Sequence, residues 1–212
     1  SVEKYFQKVN EAQIKIFGNT FISSNKKNIK ILPLASGDLN KCKLSTIKDF
    51  LNSDLYIVFG SSYIKGDLIN FLQTKETINI HMGISPYYRG TDCNFWALFD
   101  NNPHLVGATI HKLSKGLDSG DILFHCIPRL ESSDTSFDFT MHSVAVAQKG
   151  LVEKIRAGEI FSVPRIEQEK NQEVRYTRNA DFTDLVAKEF LDRKTDLRIE
   201  SFQYPDLIRP FY

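Results

Sequence analysis

The chain has 212 residues, 42% hydrophobic and 25% charged, a globular balance that excludes the low-hydrophobicity, high-charge class of disordered chains. That length suits one domain, or one domain with an appendage, since single cores cover roughly 100–200 residues. Lys and Arg total 27 against 26 Asp and Glu, a net charge of +1, so no global basic field exists to hold nucleic acid by counterion release.

The opening VEKYFQKVNEAQIKIFG sets Val2, Phe6, Val9, Ile14 and Phe17 at helical spacing and closes on Gly18, which predicts a first helix with a left-handed end. A polar stretch follows, with Lys26 and Lys27 as a solvated pair. It encloses the apolar run Ile29 to Leu34, read as a loop with an edge strand that tolerates Pro33. LSTIKDFLNSD has a helical pattern with Ser45 as its cap. LYIVFG, residues 55–60, is a continuous apolar run stopped by glycine, the pattern of a strand buried on both faces of a parallel sheet. SSYIKGDLINFLQTKET suits a short helix and INIHMG, residues 78–83, the next strand, so the three make a βαβ unit. The segment PYYRGTDCNFWALFDNN passes from loop to a helix whose Phe95 and Trp96 read as core. HLVGATIHKL and ILFHCIPRL are two more strands around the loop SKGLDSGD. From Asp134 a long helix runs to Gly158, opened by an Asp or Ser cap. DLVAKEFLDRK returns to helix within an extension, residues 159–212, expected to wrap on the catalytic domain of residues 1–158.

Three cysteines, Cys42, Cys93 and Cys126, are far apart and form no CxxC pair, which argues against a disulfide framework or zinc ribbon and for a reducing, cytoplasmic compartment. No apolar run approaches the roughly 18 residues that span a bilayer, and the start is polar rather than a signal sequence. No membrane partner is expected.

Open α/β sheets bind ligands beyond the carboxyl ends of their strands. Three strand ends here are polar and glycine-rich: GSSYIKG, NIHMGISPYYRG and SKGLDSGD. Asn79 and His81 are two apart on one strand and project from the same face, so an amide and an imidazole converge. Asp118 or Asp121, at a neighbouring strand mouth, is placed to orient the imidazole and keep it protonated. Together they suit acyl transfer. The other residues read as structural: His104, His111, His125 and His142 share no metal-ligand spacing, so no metal is expected. Cys93 reads as a buried thiol, Arg165, Arg175 and Arg178 as surface charges, and GSSYIKG matches neither phosphate-loop pattern.

INIHMGISPYYRG followed by KGLDSGDIL resembles the formyltransferase superfamily, the folate-dependent N-formyltransferases acting on methionyl-tRNA, phosphoribosylglycinamide or amino sugars, together with formyl-tetrahydrofolate deformylase. The resemblance is clear from about Asp54 to Ile155. It implies an α/β, Rossmann-like formyltransferase fold with a mostly parallel central sheet flanked by helices, lacking its first strand, with a short C-terminal extension. It implies Asn79, His81 and Asp118 as catalytic residues and 10-formyl-tetrahydrofolate as cosubstrate. Asn79 and protonated His81 would meet the oxyanion, while Asp118 holds His81 charged and collects the amine proton. The folate pocket is implied at Tyr63, Ile64 and Lys65 and at Ser114, Lys115, Gly116 and Leu117, largely through backbone groups. For the acceptor, Gly83, Ser85, Tyr87, Tyr88 and Arg89 stand beside the reactive centre, the tyrosines to stack and the arginine to pair with phosphate. Gly83 departs from the serine of several relatives. The favoured acceptor is a small-molecule amine, an amino sugar nucleotide or glycinamide ribonucleotide. Transfer to methionyl-tRNA, hydrolysis of the formyl folate, and a silent folate-binding protein are the alternatives, and an oligomer is compatible with all of them.

Overall fold

The computed structural model describes residues 1–19, 27–199 and 202–212. Lys26 of the expected solvated pair lies outside them. Helix α1 (Val2–Phe17) ends at Gly18 with φ 71°. The run Ile29 to Leu34 forms no strand and its apolar side chains are exposed. Helix α2 (Leu44–Ile47) starts from Lys43 rather than Ser45, with no side-chain cap, and passes into a 3-10 turn.

Four strands form the main sheet in the order β1 (Tyr56–Phe59), β2 (Thr77–His81), β4 (Ala108–Lys112), β5 (Ile122–Cys126). Helix α3 (Gly66–Gln73) joins β1 to the parallel β2 and completes the βαβ unit. Strand β4 is antiparallel to both β2 and β5. Three of the four strands therefore run in one direction, as expected, but two of the three pairings are antiparallel and the sheet is mixed. Strand β1 corrects a second expectation. It is an edge strand, with Ile57 48% and Phe59 42% exposed, rather than a strand covered on both faces.

The period of two along the strands divides the sheet into an apolar face and a polar one. Ile78 and Ile80 of β2, Ala108 and Ile110 of β4, and Phe124 and Cys126 of β5 pack with Val146, Ala147 and Leu151 of the long helix α5 (Ser136–Arg156). Burying each large aliphatic or aromatic side chain of this kind contributes roughly 1.5–3 kcal/mol. α5 is opened by a capping box of Thr135 and Asp138, in place of the Asp or Ser cap expected. A second cluster joins α1, α4 (Cys93–Phe99), α5 and α6 (Asp184–Asp192), with Tyr5, Phe95, Trp96, Phe139 and Phe190 buried. Phe95 and Trp96 are core residues, as read from the sequence.

The residues after Gly158 contact the sheet at several points. Strand β6 (Arg175–Thr177) lies parallel to the short β3 (Tyr88–Gly90), a pair absent from the sequence reading. Ile166 bridges Ile122, and Phe211 bridges Cys126. Arg175 holds Asp100 through two bonds of 2.8 and 2.7 Å and stacks over Trp96. Arg165 pairs with Glu76. Among the described residues no helix is long and apolar enough to cross a membrane.

Candidate active site

The polar face of the sheet builds the site. Cross-strand register sets Asn79 opposite His111 and His81 opposite Thr109, so four polar side chains occupy neighbouring positions of one face. The loop after β4 brings Asp118 beneath them, in a left-handed conformation with φ 47°. Gln168 of the extension clamps this loop by donating to the carbonyls of Asp118 and Gly120 at 2.9 and 2.6 Å. Arg89 donates to the Leu117 carbonyl at 2.9 Å. Gly120 is required by close approach: a Cβ there would lie 1.7 Å from the Lys112 carbonyl oxygen.

His81 is buried, and both ring nitrogens face acceptors. Nε2 donates to the Tyr88 carbonyl at 3.0 Å, and Nδ1 lies 3.3 Å from Oδ1 of Asp118. Satisfying both requires the doubly protonated ring. Burial works against that charge, but the Cys93 sulfur and the Asp118 carboxylate outweigh it and hold the pKa well above the ordinary histidine value. Burial likewise disfavours the Asp118 anion, yet the His81 imidazolium beside it drives its pKa far below the usual carboxylate range. Asp118 also accepts from Asn79 Nδ2 at 3.2 Å and from the Gly90 amide at 3.3 Å. The pair is therefore imidazolium and carboxylate at neutral pH.

His111, read from the sequence as structural, belongs to this network. Its Nδ1 lies 2.8 Å from the Lys112 carbonyl and so carries a proton, which assigns Nε2 as the acceptor for Asn79 Nδ2 at 3.0 Å. The ring turns the Asn79 NH2 toward Asp118. The signal for it was the alternation in ATIHK, where Thr109 and His111 repeat the spacing of Asn79 and His81. Of the other histidines, His125 is tied into the fold at both ring nitrogens. His125 donates from Nε2 to the Ser85 carbonyl at 2.9 Å and accepts from the Ile208 amide at 2.9 Å. Burial lowers its pKa to about 4.

A cavity of about 390 Å³ opens on Asn79, His81, His111 and Asp118. Tyr63, Ile64, Ser114, Gly116 and Leu117 line it, and the Tyr63 hydroxyl donates to the Lys115 carbonyl at 2.8 Å across the two loops. Lys65 and Lys115 are not among its lining residues. Its far wall was not foreseen: Tyr5 and Phe6 of α1, Asp92 and Cys93 before and within α4, and Thr140, Met141 and Val144 of α5.

The expected acceptor turn does not reach this cavity. Gly83 packs beneath the site: a Cβ there would meet Cys93 Cβ at 2.5 Å and His81 Nε2 at 2.8 Å. Ser85 is fully buried, its amide donating to Thr109 Oγ1. Tyr88 is buried, with its hydroxyl donating to Asp100 at 3.0 Å. The Tyr87 carbonyl accepts from the amides of Val174 and Arg175. Arg89 is spent on Leu117 and on Glu173 at 3.0 Å. The turn lies behind the cavity, where β3 pairs with β6.

The sequence model of the formyl transferase family matches residues 20–155. A methionyl-tRNA formyltransferase of Desulforamulus reducens is 27% identical over 147 residues, which cover 69% of this chain and 45% of that protein. One of Borreliella afzelii is 35% identical over 116 residues, 54% of this chain and 35% of the relative. The chain thus spans less than half the length of these curated relatives. Among solved structures, a formyltransferase of Anoxybacillus kamchatkensis, in complex with UDP-4,6-dideoxy-4-formamido-L-AltNAc and tetrahydrofolate, superposes with a TM-score of 0.50 at 25% identity. It covers 84% of this chain and 82% of its own. With the family pattern matched across more than half of its residues, the chain belongs to the formyl transferase family.

Proposed function

We propose that this chain transfers the formyl group of 10-formyl-tetrahydrofolate to the primary amine of a small-molecule acceptor, a nucleotide-linked amino sugar or a glycinamide ribonucleotide. The convergence of Asn79, His81 and Asp118 on one wall of a 390 Å³ cavity carries the reading. That volume falls in the range of small-ligand sites, roughly 300–1,000 Å³. Tyr63, Ile64, Ser114, Gly116 and Leu117 hold the folate there, with Lys65 and Lys115 contributing backbone from the adjoining positions. The ligands of the Anoxybacillus relative, a formamido sugar nucleotide and tetrahydrofolate, favour an amino sugar as acceptor.

As the amine attacks, negative charge grows on the formyl oxygen and must meet a donor. In the structure both Asn79 N–H groups and both His81 N–H groups already have acceptors. The longer of the Asn79 contacts, to Asp118 at 3.2 Å, is the one exchanged for the oxyanion, and the His81 to Asp118 contact is kept. Asn79 donates one N–H to it while the imidazolium supplies the field, and losing one such donor costs on the order of 10²–10³ in rate. Asp118 keeps His81 charged.

The test is direct. The protein is mixed with 10-formyl-tetrahydrofolate and, in turn, UDP- and dTDP-linked amino sugars, glycinamide ribonucleotide and methionyl-tRNA. Folate absorbance and product mass are followed. Formylation of a small amine supports the reading. Formylation of tRNA alone, folate release without any amine, or no turnover each replaces it with a different one.

A further inference from the structure

The loop that carries Asp118 is held by a residue from outside the family pattern, which ends at residue 155. Ile166 and Ile122 exchange backbone bonds of 3.0 and 2.8 Å, so the extension is pinned to the first residue of β5. Two residues on, the Gln168 side chain reaches the loop. Its Nε2 uses both N–H groups there, on the Asp118 carbonyl at 2.9 Å and the Gly120 carbonyl at 2.6 Å. These partners fix the orientation of the amide, since a flipped group would set its oxygen against two carbonyl oxygens with no proton between them. Gln168 Oε1 is buried and has no partner among the described residues, a penalty set against the two bonds its nitrogen makes.

We propose that Gln168 is a positioning residue for Asp118, holding the turn in which the carboxylate faces His81 and Asn79. The proposal rests on the transferase reading and deepens it. Asp118 has a left-handed backbone, φ 47°, a conformation that a residue with a Cβ keeps where its surroundings over-determine it. Gln168 joins the carbonyl of Asp118 itself to that of Gly120, fixing the turn on both sides of Ser119. The contacts protected in this way are long, 3.2 Å to Asn79 and 3.3 Å to His81, so a small rotation of the turn breaks them.

The rest of the loop has other anchors. The Lys115 carbonyl accepts from the Tyr63 hydroxyl, the Gly116 carbonyl from Ser114 Oγ, and the Leu117 carbonyl from Arg89, itself paired with Glu173 of the extension. Beyond the turn, the Asp121 carbonyl accepts from the Lys112 amide at 2.8 Å. Removing the Gln168 amide therefore releases the Asp118 turn between Leu117 and Asp121 and leaves residues 114–117, which carry the proposed folate contacts, in place.

The test uses Gln168→Met, which keeps the side chain's length and removes both donors, and Gln168→Asn, whose neutral amide falls one methylene short. Arg175→Met is the control, since it loosens the extension at Asp100, away from the loop. Gln168→Met is expected to lower kcat about 10²-fold, the effect of a displacement near 1 Å at a reacting group, with folate affinity near the parental value. The His81 titration, followed by NMR, should move to lower pH as the Asp118 carboxylate withdraws. Gln168→Asn should show a smaller change of the same kind, and Arg175→Met should lower Tm with kcat and the His81 titration unmoved. A folded Gln168→Met with parental kcat overturns the proposal, and so does a loss of kcat with an unmoved His81 titration or one that Arg175→Met reproduces. Should Gln168→Met fail to fold, Gln168→Asn decides by the same two readings. A parent that formylates no amine overturns the transferase reading, while the His81 titration still decides whether Gln168 positions Asp118.

Discussion

Gly83 offers the sharpest test of the site's packing. Replacing it with alanine places a Cβ 2.5 Å from Cys93 Cβ and 2.8 Å from His81 Nε2, where ordinary carbon contacts lie at about 3.5–4.0 Å. Something must move by about 1 Å. The Tyr88 carbonyl, 3.3 Å from the new atom, blocks the third direction, and Cys93 is 1% exposed at the start of a buried helix. His81 therefore gives way, losing its bonds to Tyr88 and Asp118. Overpacking of this kind costs about 1–3 kcal/mol, and at this chain length each kcal/mol lowers Tm by about 2–4 °C. A displacement near 1 Å at the reacting group costs on the order of 10² in rate. Calorimetry and the formyl-transfer assay read the two effects, and Cys93→Gly, which deletes the Cβ in the way, should recover part of both in the Gly83→Ala background. An alanine variant with parental Tm and parental turnover would refute the reasoning, and so would a double variant no better than the single one. Gly83→Ser should behave as alanine does or worse.

Asp118→Asn should cut transfer by at least about 10²-fold and move the His81 titration, followed by NMR, to lower pH; an unmoved histidine would separate the two groups. Stability should fall on both sides of neutrality. His125 has a folded pKa of about 4 against 6.5 for the free side chain, so its contribution is complete above pH 6.5 and declines as pH falls toward 4. The decline reaches about 2 kcal/mol by pH 5, readable as a drop in the urea midpoint. His81, raised when folded, contributes fully below pH 6.5 and loses that contribution as pH rises through its folded value. A urea midpoint flat from pH 7 to pH 4.5 contradicts the His125 assignment. Arg175→Met removes a half-exposed pair with Asp100 and should cost about 1 kcal/mol; a loss that does not shrink in 1 M salt would show that stacking on Trp96, rather than charge, holds the extension.

The polar cluster on β2 was legible because its side chains form a pattern that core packing does not produce. A strand facing α5 needs apolar residues at alternate positions, and Asn79 and His81 fill the other set on β2 with polar groups. The same rhythm in Thr109 and His111 carried equal information, but His111 was weighed as one histidine among five instead of being paired across strands. Register is the missing quantity: no spacing along the chain says that His111 stands opposite Asn79. The edge exposure of β1 was hidden for a related reason, since an apolar run reveals what a strand prefers to bury and says nothing about whether a neighbour is there to cover it. The SPYYRG turn shows the converse, with residues 85–89 lying outside the cavity lining. Two tyrosines and an arginine suit ligand contact, yet the Tyr88 hydroxyl is bonded to Asp100, Arg89 to Leu117 and Glu173, and the Tyr87 backbone to Val174 and Arg175. Those partners lie 12 to more than 80 residues away, beyond the reach of local pattern. The wall that does face the centre comes from α1, the start of α4 and α5, helices whose cavity-facing residues are chemically the same as core. The wall across the cavity from the polar cluster is therefore the part of the site whose sequence is least distinctive.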